Sequence, residues 1–445
     1  GKNYTFAYED DGGWKDLLTA YDNQTITYDE IGNPTSYYNG SRWTFGWENG
    51  RQLTSASGNG KTITYTYDAL SRLSTVTTPV YKITYTYKSG SNQVSGMTYS
   101  AVSGSSLSGF SYSYGYDNVG NITSITDPIS GNQTYTYDEL GQITTAKIGN
   151  STSNYFYDGF GNRDDDPNND SDPAYDYSNT QWRDLLMAYN GQKIAYEGQS
   201  YSSSTNTVSG TPTSGNPIRY YNGADWTFGW TEGRNLTSAS KSGTTISYAY
   251  DSNGIRLSKT VNGVKHDYVY AGGKLIRESY SGTTMDFVYD SNGRPYALIH
   301  NNTVYYYILN LQGDVVRLVN ASGATVATYK YDAWGKVTVT AGSVTGASTV
   351  ANANPLRYRG YYYDTETGFY YLQSRYYDAA VGRLLNTDEP TFIDVNSGSL
   401  GQHFFVYCYN INICNVALCH FFCNLLVYIY NLHHCLLVST KRLDL

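Results

Sequence analysis

Cysteine is missing from most of this 445-residue chain: the residues before Cys408 contain none, and all five cysteines lie between Cys408 and Cys435. This absence excludes a disulfide framework for the body of the protein, and five is an odd number for paired bridges in the tail. A body free of thiols fits an exported protein, which avoids stray thiol chemistry.

Charged residues are also scarce, at 15% of the chain, and the net charge is −8. Lysine and arginine are scattered rather than clustered, so the basic surface of a nucleic-acid-binding protein is missing. We therefore predict no nucleic-acid partner.

Residues for catalysis are few as well. Only His266 and His300 precede the carboxyl-terminal tail, and the chain has no Gly-x-Ser-x-Gly nucleophile elbow. We predict that the chain is not an enzyme, has no catalytic residue and needs no cofactor.

Two groups of residues resemble metal ligands without completing a site. In the tail, Cys419 and Cys423 have the spacing of zinc ligands, but His433 and His434 are adjacent. The acidic run at 164–172 lacks the glycine and the distal glutamate of a calcium loop. We predict a solvated acidic loop and no metal site.

Tyrosine and glycine are abundant, with 50 and 44 copies. In segments such as Thr62–Tyr67, Ile and Tyr alternate with Thr, which predicts a strand with one apolar face. Aspartate then opens a turn and glycine follows three positions later, the preference of a type I turn that ends in a left-handed residue. Seven such pairs recur: Asp29/Gly32, Asp117/Gly120, Asp138/Gly141, Asp158/Gly161, Asp251/Gly254, Asp290/Gly293 and Asp332/Gly335. The turn at Asp68–Ser71 lacks the glycine and is predicted to be looser.

Hairpins of this kind are marginal in isolation, so we predict an all-β fold in which they lie side by side in one long antiparallel sheet. A long internal repeat supports one extended architecture. Residues 12–76 recur at 180–263, most clearly where "WTFGW" at Trp43 is repeated at Trp226. The offset changes from 168 to 183 residues, which places a 15-residue insertion at about 200–215.

The tandem Tyr-Asp units resemble the YD repeats of the RHS family, and residues 355–390 resemble the RHS-repeat-associated core. The residues that carry this second resemblance are Arg357, Tyr358, Gly360, Tyr363, Asp364, Thr367, Gly368, Tyr370, Tyr371, Arg375, Tyr376, Asp378, Gly382, Arg383 and Asp388. In its two Tyr-Asp units the glycine lies four positions after the aspartate, so these turns should differ from those of the body. We interpret them as structural.

The resemblance implies a β-sheet that spirals into a hollow shell, the RHS β-cocoon, around a carboxyl-terminal toxic domain. It implies a secreted, cell-wall-associated polymorphic toxin whose effector cargo is absent from this chain. It predicts a repeat shell at 1–339, a linker at 340–354, the associated core at 355–410 and a divergent hydrophobic tail at 411–445. The Asp-Pro-x-Gly element that would imply self-cleavage is not found.

The tail leaves three interpretations open. No charged residue lies between His403 and Thr440. A frameshifted end would explain the abrupt change of composition. A membrane contact of residues 403–438 and a hydrophobic plug within the shell are the alternatives.

An adhesion or carbohydrate-binding module at the cell surface is the alternative to the shell. Trp43, Trp47, Trp226 and Trp230 have the spacing to share one strand face, from which they could stack on sugar rings of cell-wall glycans. Packing between sheet layers is the simpler role. A self-processing element is the third hypothesis.

Overall fold

The computed structural model describes residues 5–9, 14–38, 41–165, 174–290, 292–387 and 405. Two long antiparallel sheets dominate these residues, and each follows the order of the chain. Smaller sheets precede, separate and follow them.

Sheet 1 has thirteen strands in the order β4 to β16. A three-stranded sheet precedes it, made of β1 (Phe6–Tyr8), β2 (Leu18–Tyr21) and β3 (Gln24–Thr25). The strands of sheet 1 are β4 (Thr27–Tyr28), β5 (Pro34–Tyr38), β6 (Arg42–Glu48), β7 (Gln52–Gly58), β8 (Lys61–Tyr67), β9 (Leu73–Thr77), β10 (Tyr81–Tyr87), β11 (Val94–Ala101), β12 (Phe110–Tyr116), β13 (Ile122–Thr126), β14 (Gln133–Tyr137), β15 (Ile143–Ile148) and β16 (Ser151–Asn154).

Short strands separate the two long sheets. They are β17 (Phe156–Tyr157) with β18 (Arg163–Asp164), and β19 (Tyr175–Asp176) with β20 (Ala188–Tyr189) and β21 (Gln192–Lys193). The predicted insertion forms a separate hairpin of β23 (Gln199–Ser202) and β24 (Thr207–Gly210).

Sheet 2 has fourteen strands. They are β22 (Ala195–Tyr196), β25 (Pro217–Tyr221), β26 (Asp225–Thr231), β27 (Asn235–Lys241), β28 (Thr244–Tyr250), β29 (Arg256–Val261), β30 (Val264–Ala271), β31 (Lys274–Tyr280), β32 (Thr283–Tyr289), β33 (Pro295–His300), β34 (Thr303–Leu309), β35 (Val315–Asn320), β36 (Thr325–Tyr331) and β37 (Val337–Ala341). The prediction of an all-β fold built from long antiparallel sheets is confirmed, but the body is divided into two long sheets rather than one.

The Tyr-Asp unit explains why these hairpins repeat. At the Asp117 turn, Oδ1 accepts the N–H groups of Val119 and Asn121 at 3.0 and 2.8 Å, and the N–H of Gly120 donates to the Asp117 carbonyl. The preceding tyrosine lies at a register shift of the ladder. Its hydroxyl donates to the carbonyl of Val94 on an earlier strand, 2.7 Å away. Each unit thus closes its own turn and ties itself to its neighbour.

The turn at Asp68 is closed in the same way, so the prediction that it is looser is wrong. The N–H of Ser71 donates to the Asp68 carbonyl at 2.9 Å, and Arg72 donates to Asp68 Oδ1 at 3.0 Å. Ser71 reaches this geometry with a φ of 62°, the left-handed region that glycine occupies elsewhere.

Residues 340–354, predicted to be a linker, contain the helix α1 (Ala347–Ala353). Its residues Ala347, Val350 and Ala351 are buried. The carbonyl of Ala351 accepts the hydroxyl of Tyr329 on sheet 2 at 3.0 Å. The segment of small residues therefore packs against the body instead of only spanning a gap.

A short 3₁₀ turn, Tyr358–Gly360, leads from α1 to the carboxyl-terminal sheet. This last sheet has four strands: β38 (Tyr362–Asp364), β39 (Phe369–Tyr371), β40 (Tyr376–Asp378) and β41 (Arg383–Leu384). It packs on sheet 2, and the rings of Phe228 and Phe369 meet at 6.0 Å.

Sheet 1 and sheet 2 also pack against each other, through a second buried cluster. Tyrosine hydroxyls of sheet 1 bind backbone groups of sheet 2. Tyr81 donates to the Tyr307 carbonyl at 2.9 Å, and Tyr99 donates to the Leu309 carbonyl at 2.8 Å. The two long sheets are therefore joined by specific polar contacts within an apolar layer.

Candidate functional site: the carboxyl-terminal sheet

The carboxyl-terminal sheet is where charged side chains are buried together, and its two Tyr-Asp units differ from those of the body. The glycine N–H donates to the aspartate carbonyl four residues earlier, Gly368 to Asp364 and Gly382 to Asp378, each at 2.8 Å. The two carboxylates are 0% and 1% exposed. The turn aspartates of the body are half-buried or exposed. The carboxylate is therefore buried at the two turns in which glycine lies four positions after aspartate instead of three.

Asp364 is held by two cations of sheet 2. Arg256 Nη1 lies 2.6 Å from Oδ2, and Lys259 Nζ lies 2.9 Å from Oδ1. Lys259 also contacts Glu366 Oε2 at 2.8 Å. Burial by itself would raise the pKa of Asp364, but Arg256 and Lys259 outweigh it and hold the pKa below its usual value.

The Arg256 guanidinium lies among four tyrosine rings. Its distances to the ring centroids of Tyr248, Tyr268, Tyr362 and Tyr371 are 5.4, 5.1, 4.9 and 4.3 Å. Burial alone would lower the pKa of Arg256, and the Asp364 carboxylate raises it well above the usual value. The cation is thus balanced by one carboxylate and by ring faces that attract positive charge.

Glu278 extends the buried polar network beside this ion pair. It is 2% exposed, and it accepts the Tyr362 hydroxyl at 3.0 Å. His266 Nδ1 lies 2.7 Å from its Oε1. Sheet 2 therefore contacts the carboxyl-terminal sheet through matched charges and hydroxyls as well as apolar rings.

Asp378 has a different environment. Its Oδ2 accepts the Asn222 amide at 2.9 Å, and its Oδ1 accepts the N–H of Ala380 at 2.8 Å. No ion pair to Asp378 occurs among the residues that the structure describes. Burial raises the pKa of its carboxyl to about 6. Asp378 also lines a cavity of about 310 Å³ with Lys241 and Lys336.

Arg383 anchors the end of the sheet. Its guanidinium donates to the Tyr177 hydroxyl at 2.9 Å and to the Asp184 carbonyl at 2.7 Å. Phe405 is 2% exposed, and its ring centroid lies 4.7 Å from the Arg383 guanidinium. The N–H of Leu384 donates to the Phe405 carbonyl at 3.0 Å, so the chain returns to this sheet after the signature.

The other signature residues lie in the same region. Arg357 is 3% exposed, with its guanidinium 4.4 Å over the Tyr363 ring. Gly360 has a φ of 70° and lies against Pro295. The hydroxyls of Tyr371 and Tyr376 bind the Arg256 N–H and the Tyr250 hydroxyl, at 3.0 and 2.7 Å. Arg375 is half-buried. Asp388 lies outside the described residues, and the assignment of these residues to a signature stays a prediction.

The four tryptophans proposed for glycan stacking separate into two groups. Trp226 is 1% exposed with the Lys241 ammonium 4.4 Å over its ring, so it offers almost no surface to a sugar. Trp43, Trp47 and Trp230 are half-buried. The indole N–H groups of Trp47 and Trp230 donate to the carbonyls of Pro34 and Pro217, at 2.7 and 2.6 Å.

Arg256 and Lys259 were not foreseen as partners of Asp364, although the duplication contains a signal. The corresponding residues of the first copy are Leu73 and Val76. The alternation of residue types along the strand predicts that both positions face inward. The second copy therefore has two cations on the inward face, and a buried cation requires a partner of opposite charge.

The predictions on metal and membrane contact fall largely outside the structure. The tail cysteines and histidines and residues 166–172 of the acidic run are not among the described residues. Within the described ranges, no three or more His, Cys, Asp or Glu side chains form a group that could hold a metal ion. Of the helices described, none is long and apolar enough to cross a membrane.

Curated proteins with similar sequences are much longer than this chain. The tRNA3(Ser)-specific nuclease WapA of Bacillus spizizenii is 29% identical over 367 residues, which cover 69% of this chain and 14% of that protein. The tRNA(Glu)-specific nuclease WapA of Bacillus subtilis subsp. natto is 36% identical over 198 residues, 43% of this chain and 8% of that protein.

Solved structures show the same fold. The TcdB2-TccC3-Cdc42 crystal structure matches with a TM-score of 0.60 at 17% identity, covering 92% of this chain and 22% of that one. The TcdB2-TccC3 structure without the hypervariable C-terminal region gives 0.61 at 18% identity, with the same coverage.

Two family descriptions match directly. Residues 46–82 match the RHS repeat, and residues 108–416, which include all of sheet 2 and the whole carboxyl-terminal sheet, match the teneurin YD-shell. The chain contains an RHS repeat at residues 46–82, and it belongs to the teneurin YD-shell family.

Proposed function

We propose that this chain is the wall and the closing element of a shell that holds a carboxyl-terminal effector of an RHS-type toxin. The observation that carries the proposal is the carboxyl-terminal sheet, which is fixed to sheet 2 by the buried Asp364–Arg256–Lys259 cluster. Phe405, beyond the signature, is anchored against Arg383. A segment that follows residue 405 therefore starts from a fixed point on the closing element.

We further propose that the chain has no catalytic activity of its own and that any activity belongs to the effector. Asp364 is neutralised by two cations, and Glu278 is bound by tyrosine and histidine, which suits a structural role. The relatives named as tRNA nucleases are far longer than the matched region, so their names do not assign a reaction to it. A secreted, wall-associated location completes the proposal, supported by the thiol-free body.

Protease protection tests the shell. A short unstructured peptide with one protease site is appended after residue 445, and in a second variant it is inserted in the exposed turn at Ser203–Ser204. We expect the appended site to be cleaved at least tenfold more slowly than the inserted one. Opening the closure with Asp364→Ala should remove the difference. Equal cleavage of the two sites in the unaltered chain would contradict encapsulation.

Glycan binding is a second candidate, favoured by the half-buried Trp43 and Trp47. On a cell-wall glycan array, Trp43→Ala should abolish retention. Trp226→Ala should leave it intact in the folded fraction, because that ring is covered. No retention of the unaltered chain would exclude this role.

A further inference from the structure

A cavity of about 310 Å³ lies where the carboxyl-terminal sheet meets sheet 2. Sheet 2 contributes the turn at 222–224, Trp226 and Lys241, and Lys336 lines the cavity from the turn between β36 and β37. The carboxyl-terminal sheet contributes residues of both of its Tyr-Asp turns. Binding sites for small molecules have volumes of about 300–1,000 Å³, so this cavity has room for a small organic molecule.

Lys336 departs from the pattern of the other Tyr-Asp turns. It is the fifth residue of its turn, counted from the aspartate. Arg72 and Arg294 occupy this position in two other turns, and the Nε of each donates to Oδ2 of its own turn aspartate, at 2.7 and 3.1 Å. Only the backbone N–H of Lys336 binds Asp332, at 2.9 Å from Oδ1. The side chain of Lys336 lines the cavity instead of closing its own turn.

Lys241 departs from the pattern of the duplication. The corresponding residue of the first copy is Gly58, where a Cβ atom would lie 2.5 Å from the Trp43 ring. In the second copy, the Lys241 ammonium lies 4.4 Å from the ring centroid of Trp226. It also lies 3.4 Å from the Glu366 carbonyl oxygen. An ammonium has three donors, so Lys241 can bind a further acceptor in the cavity.

The charges of these two lysines are not balanced within the cavity. Of the described residues that line it, Asp378 alone is acidic. Its carboxylate oxygens accept the Asn222 amide at 2.9 Å and the Ala380 N–H at 2.8 Å. Neither Lys241 nor Lys336 forms an ion pair with a carboxylate of the described residues. The cavity therefore has an excess of positive charge, which favours a bound anion.

We propose that this cavity binds a phosphate monoester of a small organic molecule. The phosphate group of such an ester carries a charge of about −1.5 to −2 at pH 7, which matches two ammoniums better than a carboxylate does. Lysine binds phosphate as a point charge, so it needs no fixed fork of donors. The organic part of the ligand contacts Gly223, Ala379 and Ala380. The inference is independent of the proposed shell, because neither the wall nor its closure requires a ligand at this place.

A nucleic acid is a poorer source of the phosphate group. The net charge of the chain is −8, and its basic residues are scattered. Nucleic-acid binding depends on several phosphate contacts along one surface, whereas this cavity offers two lysines in a space of small-molecule size. A free ester therefore fits the site better than a phosphate of a polymer.

Isothermal titration calorimetry of the unaltered chain tests the ligand with four probes. Glycerol 3-phosphate is the ester, inorganic phosphate is its anion alone, glycerol is its neutral part, and glycerate carries a carboxylate on a similar body. We expect glycerol 3-phosphate to bind at least tenfold more tightly than each of the other three probes. Equal affinity for inorganic phosphate would mean an adventitious ion only. That result, equal affinity for glycerate, or no binding of the ester would each overturn the proposal.

Variants of the lining locate the bound ester. Lys336→Met removes an exposed charge, and Lys241→Met keeps a long side chain over the Trp226 ring. Ala380→Phe, at an exposed position, fills the cavity and keeps both lysines. We expect each variant to bind glycerol 3-phosphate at least fivefold more weakly. Lys330→Met, at an exposed lysine of β36 that does not line the cavity, is the matched control and should leave the affinity unchanged. Full affinity in Lys336→Met or in Ala380→Phe, or an equal loss in the control, would overturn the proposal, whether or not Lys241→Met folds.

Discussion

At the scale of the residue, the tyrosine and the aspartate of the Tyr-Asp dipeptide have separate structural roles. The aspartate closes its own turn, and this role was predictable from the Asp-x-x-Gly spacing alone. The tyrosine hydroxyl instead reaches back to an earlier strand, as Tyr67 does to Leu53 at 3.0 Å and Tyr250 to Leu236 at 2.8 Å. Local spacing could not reveal this bond, because it depends on which strands become neighbours.

Ser71 offers a direct test of the turn chemistry. A non-glycine residue in the left-handed region costs about 1–2 kcal/mol. Ser71→Gly should therefore stabilise the protein by about 1 kcal/mol, reduced somewhat by the greater freedom of glycine in the unfolded chain. Urea unfolding followed by fluorescence measures the change. The reverse substitution Gly141→Ser, at a φ of 79°, should destabilise by a similar amount. A loss of stability in Ser71→Gly would contradict the argument.

Asp378 predicts an unusual dependence of stability on pH. Burial raises its pKa from 3.8 to about 6, so the folded protein holds a proton that the unfolded chain releases. Its favourable contribution is present below pH 3.8 and is lost as the pH rises through 6. Asp378→Asn should therefore stabilise the protein at pH 8, by up to about 3 kcal/mol, and have little effect near pH 4.

Urea unfolding at pH 4, 6 and 8 checks this sign. Asp117→Asn is the matched control, since burial of Asp117 is outweighed by hydrogen bonds from Asn121 and backbone N–H groups that lower its pKa. The ionised Asp117 carboxylate stabilises the fold at pH values above the pKa that Asp117 has in the unfolded chain. This contribution is lost as the pH falls through the lower pKa of the folded state. Asp117→Asn should thus destabilise at pH 8. The same sign for both variants would refute the assignment.

At the scale of the element, the duplicated unit shows how one sequence is used in two environments. Both copies pair in the same register, Phe45 with Ala56 and Phe228 with Ala239. Phe228 is 4% exposed because the carboxyl-terminal sheet covers it, whereas Phe45 is half-buried. Alternation predicted the strands of both copies, but which copy is covered is decided by an element more than 100 residues away.

Helix α1 was missed for a related reason. Its sequence, ASTVANA, consists of seven mostly small residues and begins without a side-chain cap. The helix is supported by packing, with the Tyr307 hydroxyl bound to Asn354 at 2.8 Å directly after it. Its apolar face consists only of Ala347, Val350 and Ala351, and a pattern of two turns is too short to distinguish a helix from a loop.

The buried charge cluster makes a prediction about how sheet 2 holds the carboxyl-terminal sheet. Asp364→Ala leaves Arg256 without a carboxylate and Lys259 with Glu366 alone, and it should cost about 3–5 kcal/mol. Replacing the cluster by the residues of the first copy, as Arg256→Leu and Lys259→Val with Asp364→Leu, should recover most of that loss. Chemical denaturation of the single and triple variants measures both. A triple variant as unstable as Asp364→Ala would mean that the charges themselves are required.

At the scale of the whole molecule, the fold follows from repetition, but its assembly does not. Turn spacing and alternation predicted long antiparallel sheets of hairpins, and resemblance predicted the shell family. The contact between sheet 1 and sheet 2 joins residues about 200 positions apart, such as Tyr99 and Leu309. Nothing in either sequence segment identifies the other, because each tyrosine has the same local pattern as dozens of its neighbours.

A substitution at Tyr99 therefore tests how strongly the two sheets are coupled. Its hydroxyl donates to the Leu309 carbonyl and accepts the Leu309 N–H at 3.2 Å, both in a buried layer. Tyr99→Phe leaves two backbone groups without a partner and should cost about 1–3 kcal/mol. Tyr112→Phe is the control in the same cluster, since the Tyr112 hydroxyl is buried without a hydrogen-bond partner among the described residues, and it should be neutral or stabilising.

Calorimetry distinguishes a local loss from an uncoupling of the sheets. If the tyrosine hydroxyls join the two sheets into one cooperative unit, Tyr81→Phe combined with Tyr99→Phe should broaden or split the unfolding transition, because sheet 1 can then open before sheet 2. Hydrogen exchange should show the new opening first in the strands next to the contact, β10 and β11. A single sharp transition that only shifts to lower temperature would mean that the apolar layer alone couples the sheets, and that the hydroxyls contribute only their own bonds.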